Sequence, residues 1–276
     1  EFCYFDSYQD APDSQPEAIG GYLPLSKVYS FNPVPDTLSA EKVGLVYGVQ
    51  ANLFTEYIPT PEHAEMMIYP RVLALAEVAW SAPSKKNYEN FHVRALKAVE
   101  ELKKSGYNPF ELKNEIGNRP GADKPVEHLA VGKKVTYGLD AAYYPGYAAG
   151  GDTALVDGVR GGWTYGDKRW QGFIDKKRMD ITIDLEKETE LHFIGADFMQ
   201  VCGPEVFMPA EVIISISDDG KDFTELKHIE HKVVKDDKVT FTNFGWEGNA
   251  KGRYVRYQAT SGEFGGFLFT DEVVIK

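Results

Sequence analysis

Helical periodicity stops at about residue 113 and does not return. That break constrains the fold more than any other feature, because a 3.6-residue repeat builds helices while two-residue alternation builds strands. Before it, Tyr88, Phe91, Ala95, Leu102 and the pair Ala98/Val99 recur at three- and four-residue steps, with Lys and Glu opposite. This predicts a helix over 87–104, stopped by Gly106. Thr60-Pro61-Glu62 offers a cap, a fitting first residue and an acid at the positive end of the dipole. A largely buried helix is predicted from 61 to about 80, stopping before Pro83, and residues 46–54 read as a buried strand. After the break, alternating runs at 179–185, 191–198, 211–217, 239–244, 254–260 and 272–275 are separated by turns such as Ser217-Asp218-Asp219-Gly220. Roughly 150 residues of this texture predict a β-sandwich. Residues 114–125 have a linker's composition, leaving domains at 1–113 and 126–276.

The net charge is −12, with 16 acidic and 10 basic residues through Asn118 and 26 and 20 after it. Acidity spread over both halves argues against nucleic acid or an anionic membrane as partner, since both require basic patches. No apolar run approaches the roughly 20 residues of a membrane span. Cys3 and Cys202 fall in different domains and are expected to be free thiols. The first residues read as the interior of a domain, so the N terminus is expected to be a cleavage point or an artificial boundary.

Two patterns carry a resemblance in the N-terminal part. One is Tyr4-Phe5-Asp6-Ser7-Tyr8, followed by Pro24-Leu25-Ser26-Lys27-Val28-Tyr29-Ser30-Phe31-Asn32-Pro33-Val34-Pro35. The other is Gly48-Val49-Gln50-Ala51-Asn52-Leu53-Phe54-Thr55-Glu56-Tyr57, continuing into Pro70-Arg71-Val72-Leu73-Ala74-Leu75-Ala76-Glu77-Val78-Ala79-Trp80-Ser81. Over about residues 2–105 the chain resembles family 20 glycoside hydrolases, the β-N-acetylhexosaminidases. The fold implied is a TIM barrel, which needs about 250 residues, so this segment would supply the last two strands and their helices. The resemblance implies that Tyr4 bonds the substrate acetamido group and that Asp6 and Glu56 accept bonds from sugar hydroxyls. Phe54 stands where the family usually has Trp under the sugar ring, with less area and no N–H. In the chain by itself, Asp6 and Glu56 read as a pair of solvated carboxylates, and in the complete enzyme as sugar contacts. The family's general acid lies in a His-x-Gly-Gly-Asp-Glu context that does not occur here, so no catalytic residue is assigned and the chain alone is expected to be inactive. Asp271-Glu272, on the last predicted strand, is a decoy. A barrel fragment also exposes apolar faces and strand edges, so this segment is expected to be poorly ordered or self-associating.

From about Val126 other residues carry a second resemblance: Ala154-Leu155-Val156-Asp157-Gly158, Trp170-Gln171-Gly172-Phe173, Asp180-Ile181-Thr182-Ile183-Asp184-Leu185, Arg253-Tyr254-Val255-Arg256-Tyr257 and Asp271-Glu272-Val273. They resemble the discoidin or coagulation factor type C domain, which includes family 32 carbohydrate-binding modules. The fold class expected overall is multidomain, a partial α/β (TIM) barrel segment followed by an all-β jelly-roll, galactose-binding-like sandwich. The resemblance implies a structural Ca²⁺ near Asp157 and Glu272, for which the alternative is a turn-forming Asp and a surface Glu. Two loops rich in aromatics, Tyr143-Tyr144-Pro145-Gly146-Tyr147 and Gly161-Gly162-Trp163-Thr164-Tyr165-Gly166, make Tyr147, Trp163 and Tyr165 candidate sugar platforms. Arg160, Asp167 or Arg169 would be the hydroxyl partners, and packing of the loops on each other is the alternative.

The expected function is that of a C-terminal portion of a bacterial β-N-acetylhexosaminidase, secreted, periplasmic or on the cell surface. Its partners would be glycans ending in N-acetylhexosamine or galactose, and the remainder of the barrel. The rival readings are a carbohydrate-binding module that targets the enzyme, and a structural domain that braces the barrel or mediates dimerisation.

Overall fold

A computed structural model describes residues 2–138, 142–174 and 179–276. The chain divides into two compact units, Glu1–Gly117 and Asn118–Lys276.

The first unit contains α1 (Leu25–Ser30), α2 (Ala40–Val43), α3 (Pro61–Ile68), α4 (Arg71–Trp80) and α5 (Tyr88–Lys104). Thr60 caps α3 by accepting the His63 amide, and Asn87 caps α5 by accepting that of Asn90. The single helix expected from 61 to 80 is two, because Pro70 has no N–H to donate and the backbone turns extended at Tyr69. The strand expected at 46–54 is reduced to one parallel bridge, Tyr4 to Asn52. Tyr47 is 92% exposed there, since an apolar run becomes a buried strand only where neighbours pair with it. The unit nonetheless has its own core, built from Phe5, Leu23, Leu25, Val28, Tyr29, Ala74, Leu75, Phe91, Ala95 and Val99.

The strand pairs of the second unit are antiparallel. Its strands are β1 (Lys134–Tyr137), β2 (Gln171–Ile174), β3 (Met179–Gln200), β4 (Pro209–Ser217), β5 (Thr224–Glu230), β6 (Thr240–Ser261) and β7 (Phe267–Ile275). The pairs of runs predicted at 179–185 and 191–198, and at 239–244 and 254–260, are each one continuous 22-residue strand. Bulges in β3 between Asp184 and Thr189 and between Leu191 and Phe193 bend it, so β3 and β6 pass through two layers. One layer holds β1, the first part of β3, the last part of β6, β4 and β5. The other holds β2, β7, the last part of β3 and the first part of β6. Ile181, Ile183, Ile194, Ala196, Phe198, Val212, Ile214, Val255, Tyr257, Leu268 and Val273 meet in the core between them. That is the sandwich the alternation requires, since each strand buries every second side chain.

Near the end of the first unit, Asp10 is buried and accepts the amides of Ile116 at 2.8 Å and Gly117 at 2.9 Å. The neighbouring Glu115 is pushed up to about 7, first by burial and then by the Asp10 charge. His92 Nε2 lies 4.0 Å from its carboxylate. The unfolded chain releases this proton near pH 4.5, while the folded chain keeps it to about 7. The folded state therefore binds more protons in that window, and stability falls as pH rises through it, by roughly 3 kcal/mol at most. Glu115→Gln is expected to raise the melting temperature of the first unit at pH 8 and leave it unchanged at pH 4, as read by calorimetry at both pH values.

Candidate functional site

In the first unit, Phe5 donates to the Asn52 carbonyl and Asn52 to that of Cys3, each at 2.8 Å, so residues 3–5 run beside 52 as two parallel strands would. This sets Tyr4 against Phe54, with ring centroids 6.1 Å apart and planes 28° from parallel. Tyr4 is 48% and Phe54 52% exposed, leaving an open aromatic pair. Asp6 is buried, and its Oδ1 has no hydrogen-bond partner among the described residues. Burial pushes the Asp6 carboxyl up and the exposed Glu56 carboxylate adds to that, while its own backbone N–H and, less strongly, Arg71 oppose it. All four expected contact residues thus come together: two open rings, one solvated carboxylate and one buried carboxylate with a free oxygen. An acceptor in that state gains from a hydroxyl donor, because an unpaired buried oxygen otherwise forfeits its hydration.

In the second unit, the loop aromatics lie on the outer face of the β2–β7–β3–β6 layer. Tyr165 stacks on Phe269 at 4.7 Å and 18°, and Tyr147 meets the same ring edge-on at 4.9 Å. Trp163 meets Phe241 edge-on at 5.5 Å. Tyr147 and Tyr165 pack with Trp170, Met199, Val206 and Phe269 as a second core. Tyr147, Trp163 and Tyr165 are therefore half-buried packing groups rather than an open ledge, because the sheet's outer face is itself apolar at Met199, Phe241 and Phe269 and demands a cover.

The expected hydroxyl partners are engaged in the same layer. Asp167 accepts the amides of Gly162 at 2.6 Å and Arg169 at 2.9 Å, and burial pushes its carboxyl up. Arg169 donates to the Ala122 carbonyl at 2.9 Å. Arg160 lies 2.6 Å from Asp197 and 3.5 Å from Asp271. Arg119, within the stretch read as linker, is buried between the rings of Trp170 and Phe241, each 4.9 Å away. It pairs with Asp197, with Asp271 at 2.8 Å and with the Gly161 carbonyl at 2.8 Å. Linker composition concealed it, and the only sequence signal was a lone Arg among Gly and Pro. The open ring that sequence reasoning passed over is Tyr144, 43% exposed and edge-on to Phe267 at 5.7 Å.

Glu272, expected as a metal ligand with a surface Glu as alternative, is fully buried. Its Oε1 lies 2.7 Å from His128 Nε2 and accepts the Gly158 amide at 2.9 Å, while Oε2 is buried with no partner. The His128 Nδ1 faces the amides of Ala130 at 3.3 Å and Ile275 at 3.5 Å, so Nε2 carries the hydrogen and donates. Asp157 accepts the Val159 amide at 2.8 Å, and its charge, after burial, helps hold the Glu272 carboxyl above its usual range. Among the described residues no cluster of three or more His, Cys, Asp or Glu could hold a metal.

Residues 1–83 match the model of the glycosyl hydrolase family 20 catalytic domain, and residues 140–273 that of the F5/8 type C domain. The chain joins part of a family 20 catalytic domain to an F5/8 type C domain. Its family 20 part is similar to a beta-hexosaminidase of Porphyromonas gingivalis, 45% identical over 105 residues, covering 38% of this chain and 14% of that protein. It is also similar to a beta-hexosaminidase of Akkermansia muciniphila, 29% identical over 123 residues, covering 44% of this chain and 24% of that protein. The chain thus spans under a quarter of the length of either relative. Among solved structures, similar ones include a fucose binding module of Streptococcus pneumoniae, with a TM-score of 0.38, 18% identity, and coverage of 55% of this chain and 98% of that one. Another is a module from Clostridium perfringens in complex with GalNAc-beta-1,3-galactose, with a TM-score of 0.35, 18% identity, and coverage of 51% and 93%.

Removing one partner of a buried ion pair strands the other. Arg119→Met is expected to destabilise the F5/8 type C unit by about 3–5 kcal/mol, seen as a lower urea midpoint for that unit alone.

Proposed function

We propose that this chain is the C-terminal part of a bacterial β-N-acetylhexosaminidase, secreted, periplasmic or held at the cell surface. The enzyme would release terminal N-acetylglucosamine or N-acetylgalactosamine by substrate-assisted hydrolysis. The observation that supports this best is the meeting of Tyr4, Asp6, Phe54 and Glu56 across the parallel bridge at Tyr4 and Asn52. In this reading Tyr4 bonds the acetamido group, Asp6 and Glu56 accept sugar hydroxyls, and Phe54 lies under the ring. No Asp-Glu pair suited to general acid work accompanies them, so the chain by itself supplies sugar contacts and not turnover. In an enzyme that carries this segment within a complete barrel, Asp6→Asn and Glu56→Gln are each expected to lower kcat/KM by about 10- to 100-fold, the effect of losing a bond to a charged group. Unchanged kinetics for both would remove the assignment.

The F5/8 type C unit is proposed to bind glycan ends, N-acetylhexosamine or galactose, with calcium as a structural ion at Asp157 and Glu272. Bound there, calcium would satisfy the buried Oε2 of Glu272 and offset the repulsion between the two carboxylates. A second reading, a purely structural domain, is favoured by the packing of Tyr147 and Tyr165 against the second core and of Trp163 on Phe241. Titration calorimetry of the chain with N-acetylglucosamine, N-acetylgalactosamine, galactose and chitin oligomers separates the two. Binding lost in Trp163→Ala supports recognition, and flat titrations at millimolar sugar support the structural reading. In the same samples calcium is expected to raise the melting temperature over EDTA, and Glu272→Gln to abolish that rise. Identical melting with and without EDTA would eliminate the ion.

A further inference from the structure

Arg71 opens α4 and is completely buried in the first unit. All five of its N–H groups are spent on backbone carbonyls. Nε donates to Met67 at 3.0 Å, one terminal nitrogen to Ser7 at 2.9 Å and Leu23 at 3.1 Å, and the other to Phe5 and, at 2.6 Å, to Met67. The guanidinium also lies 5.0 Å from the centre of the Phe5 ring. Burial lowers its pKa to about 9, which still leaves it a cation at neutral pH. A buried cation ordinarily takes a carboxylate as its partner. This one takes none by hydrogen bond, although the Asp6 charge acts on it.

Two of its acceptors, Phe5 and Ser7, stand on either side of Asp6. The cation therefore holds the backbone of Asp6 from both sides without occupying its carboxylate, whose Oδ1 stays buried and unpaired. A direct ion pair would have filled that oxygen. We propose that Arg71 is a positioning residue that fixes Asp6 beside Tyr4 and leaves its carboxylate open to a sugar hydroxyl. The charges facing Asp6 are Arg71, which favours the ionised form, and Glu56, which opposes it. The proposal rests on Asp6 as a substrate contact, and the test separates the two claims.

The Asp6 carboxyl carbon can be titrated by ¹³C NMR in the 276-residue chain, with Asp6→Asn assigning the signal. Arg71→Met is expected to move the Asp6 midpoint to higher pH, and Arg71→Lys, which retains the charge, to leave it near the wild-type value. Arg71→Lys is also expected to speed amide exchange at residues 5–8, because an ammonium has three donors where the guanidinium has five. In the enzyme with a complete barrel, Arg71→Met is expected to cost about 100-fold in kcat/KM, as loss of alignment does, with partial recovery in Arg71→Lys. An unchanged Asp6 midpoint in folded Arg71→Met overturns the proposal. If that variant does not fold, unchanged exchange at residues 5–8 in Arg71→Lys overturns it. Full activity in Asp6→Asn would instead refute the substrate contact, with the Arg71 claim still decided by the titration and the exchange.

Discussion

The second unit depends on the pairing of β3 with β6. Both strands are long enough to leave one layer and enter the other, and their bulges set where they bend. Every other strand is added to this pair directly, or at one remove in the cases of β2 and β5. The layers therefore cannot slide independently, and the core residues of β3, from Ile181 to Phe198, are fixed against those of β6 by one hydrogen-bonded register. A slip of one residue would reverse inside and outside along both layers at once.

Across the two units, taken separately, buried charge is handled in three ways. Arg119 is met by two carboxylates and two aromatic faces, a closed arrangement suited to holding a segment down. Glu272 is half satisfied, with one oxygen on His128 and Gly158 and the other unmet. Arg71 is met by carbonyls and the Phe5 ring, with no carboxylate bonded to it, while the nearby Asp6 oxygen goes unmet. The first arrangement is complete and reads as structural. The other two leave an acceptor open, which is the condition under which an added cation or hydroxyl contributes favourably.

Much of the architecture was legible in the sequence. Period-two alternation located the strand interiors, and the cap at Thr60 located a helix start. Legibility failed where partners distant in the chain decide the outcome. Exposed residues at 186–188 look like a turn, yet pairing resumes after the bulge and the strand continues. Residues 46–54 have the composition of a buried strand but only one bridging partner, at Asn52. The motif singled out Tyr4, Asp6, Phe54 and Glu56 as expected contacts, and the structure adds what a motif cannot carry, the unpaired oxygen of Asp6. The aromatic loops were ambiguous for a physical reason. A ring that will meet a sugar and a ring that will meet Phe269 have the same composition, and only the apolar outer face of the sheet distinguishes them.

That outer face also limits how the domain can change. Tyr147, Trp163 and Tyr165 sit in the loops where a new ligand preference would arise, and they also cover Met199, Phe241 and Phe269. A substitution that reshapes the loop surface to suit another sugar would also open or crowd the layer beneath it. On the glycan-binding reading, selectivity and folding stability would draw on the same side chains, and variants selected for one should show correlated drift in the other.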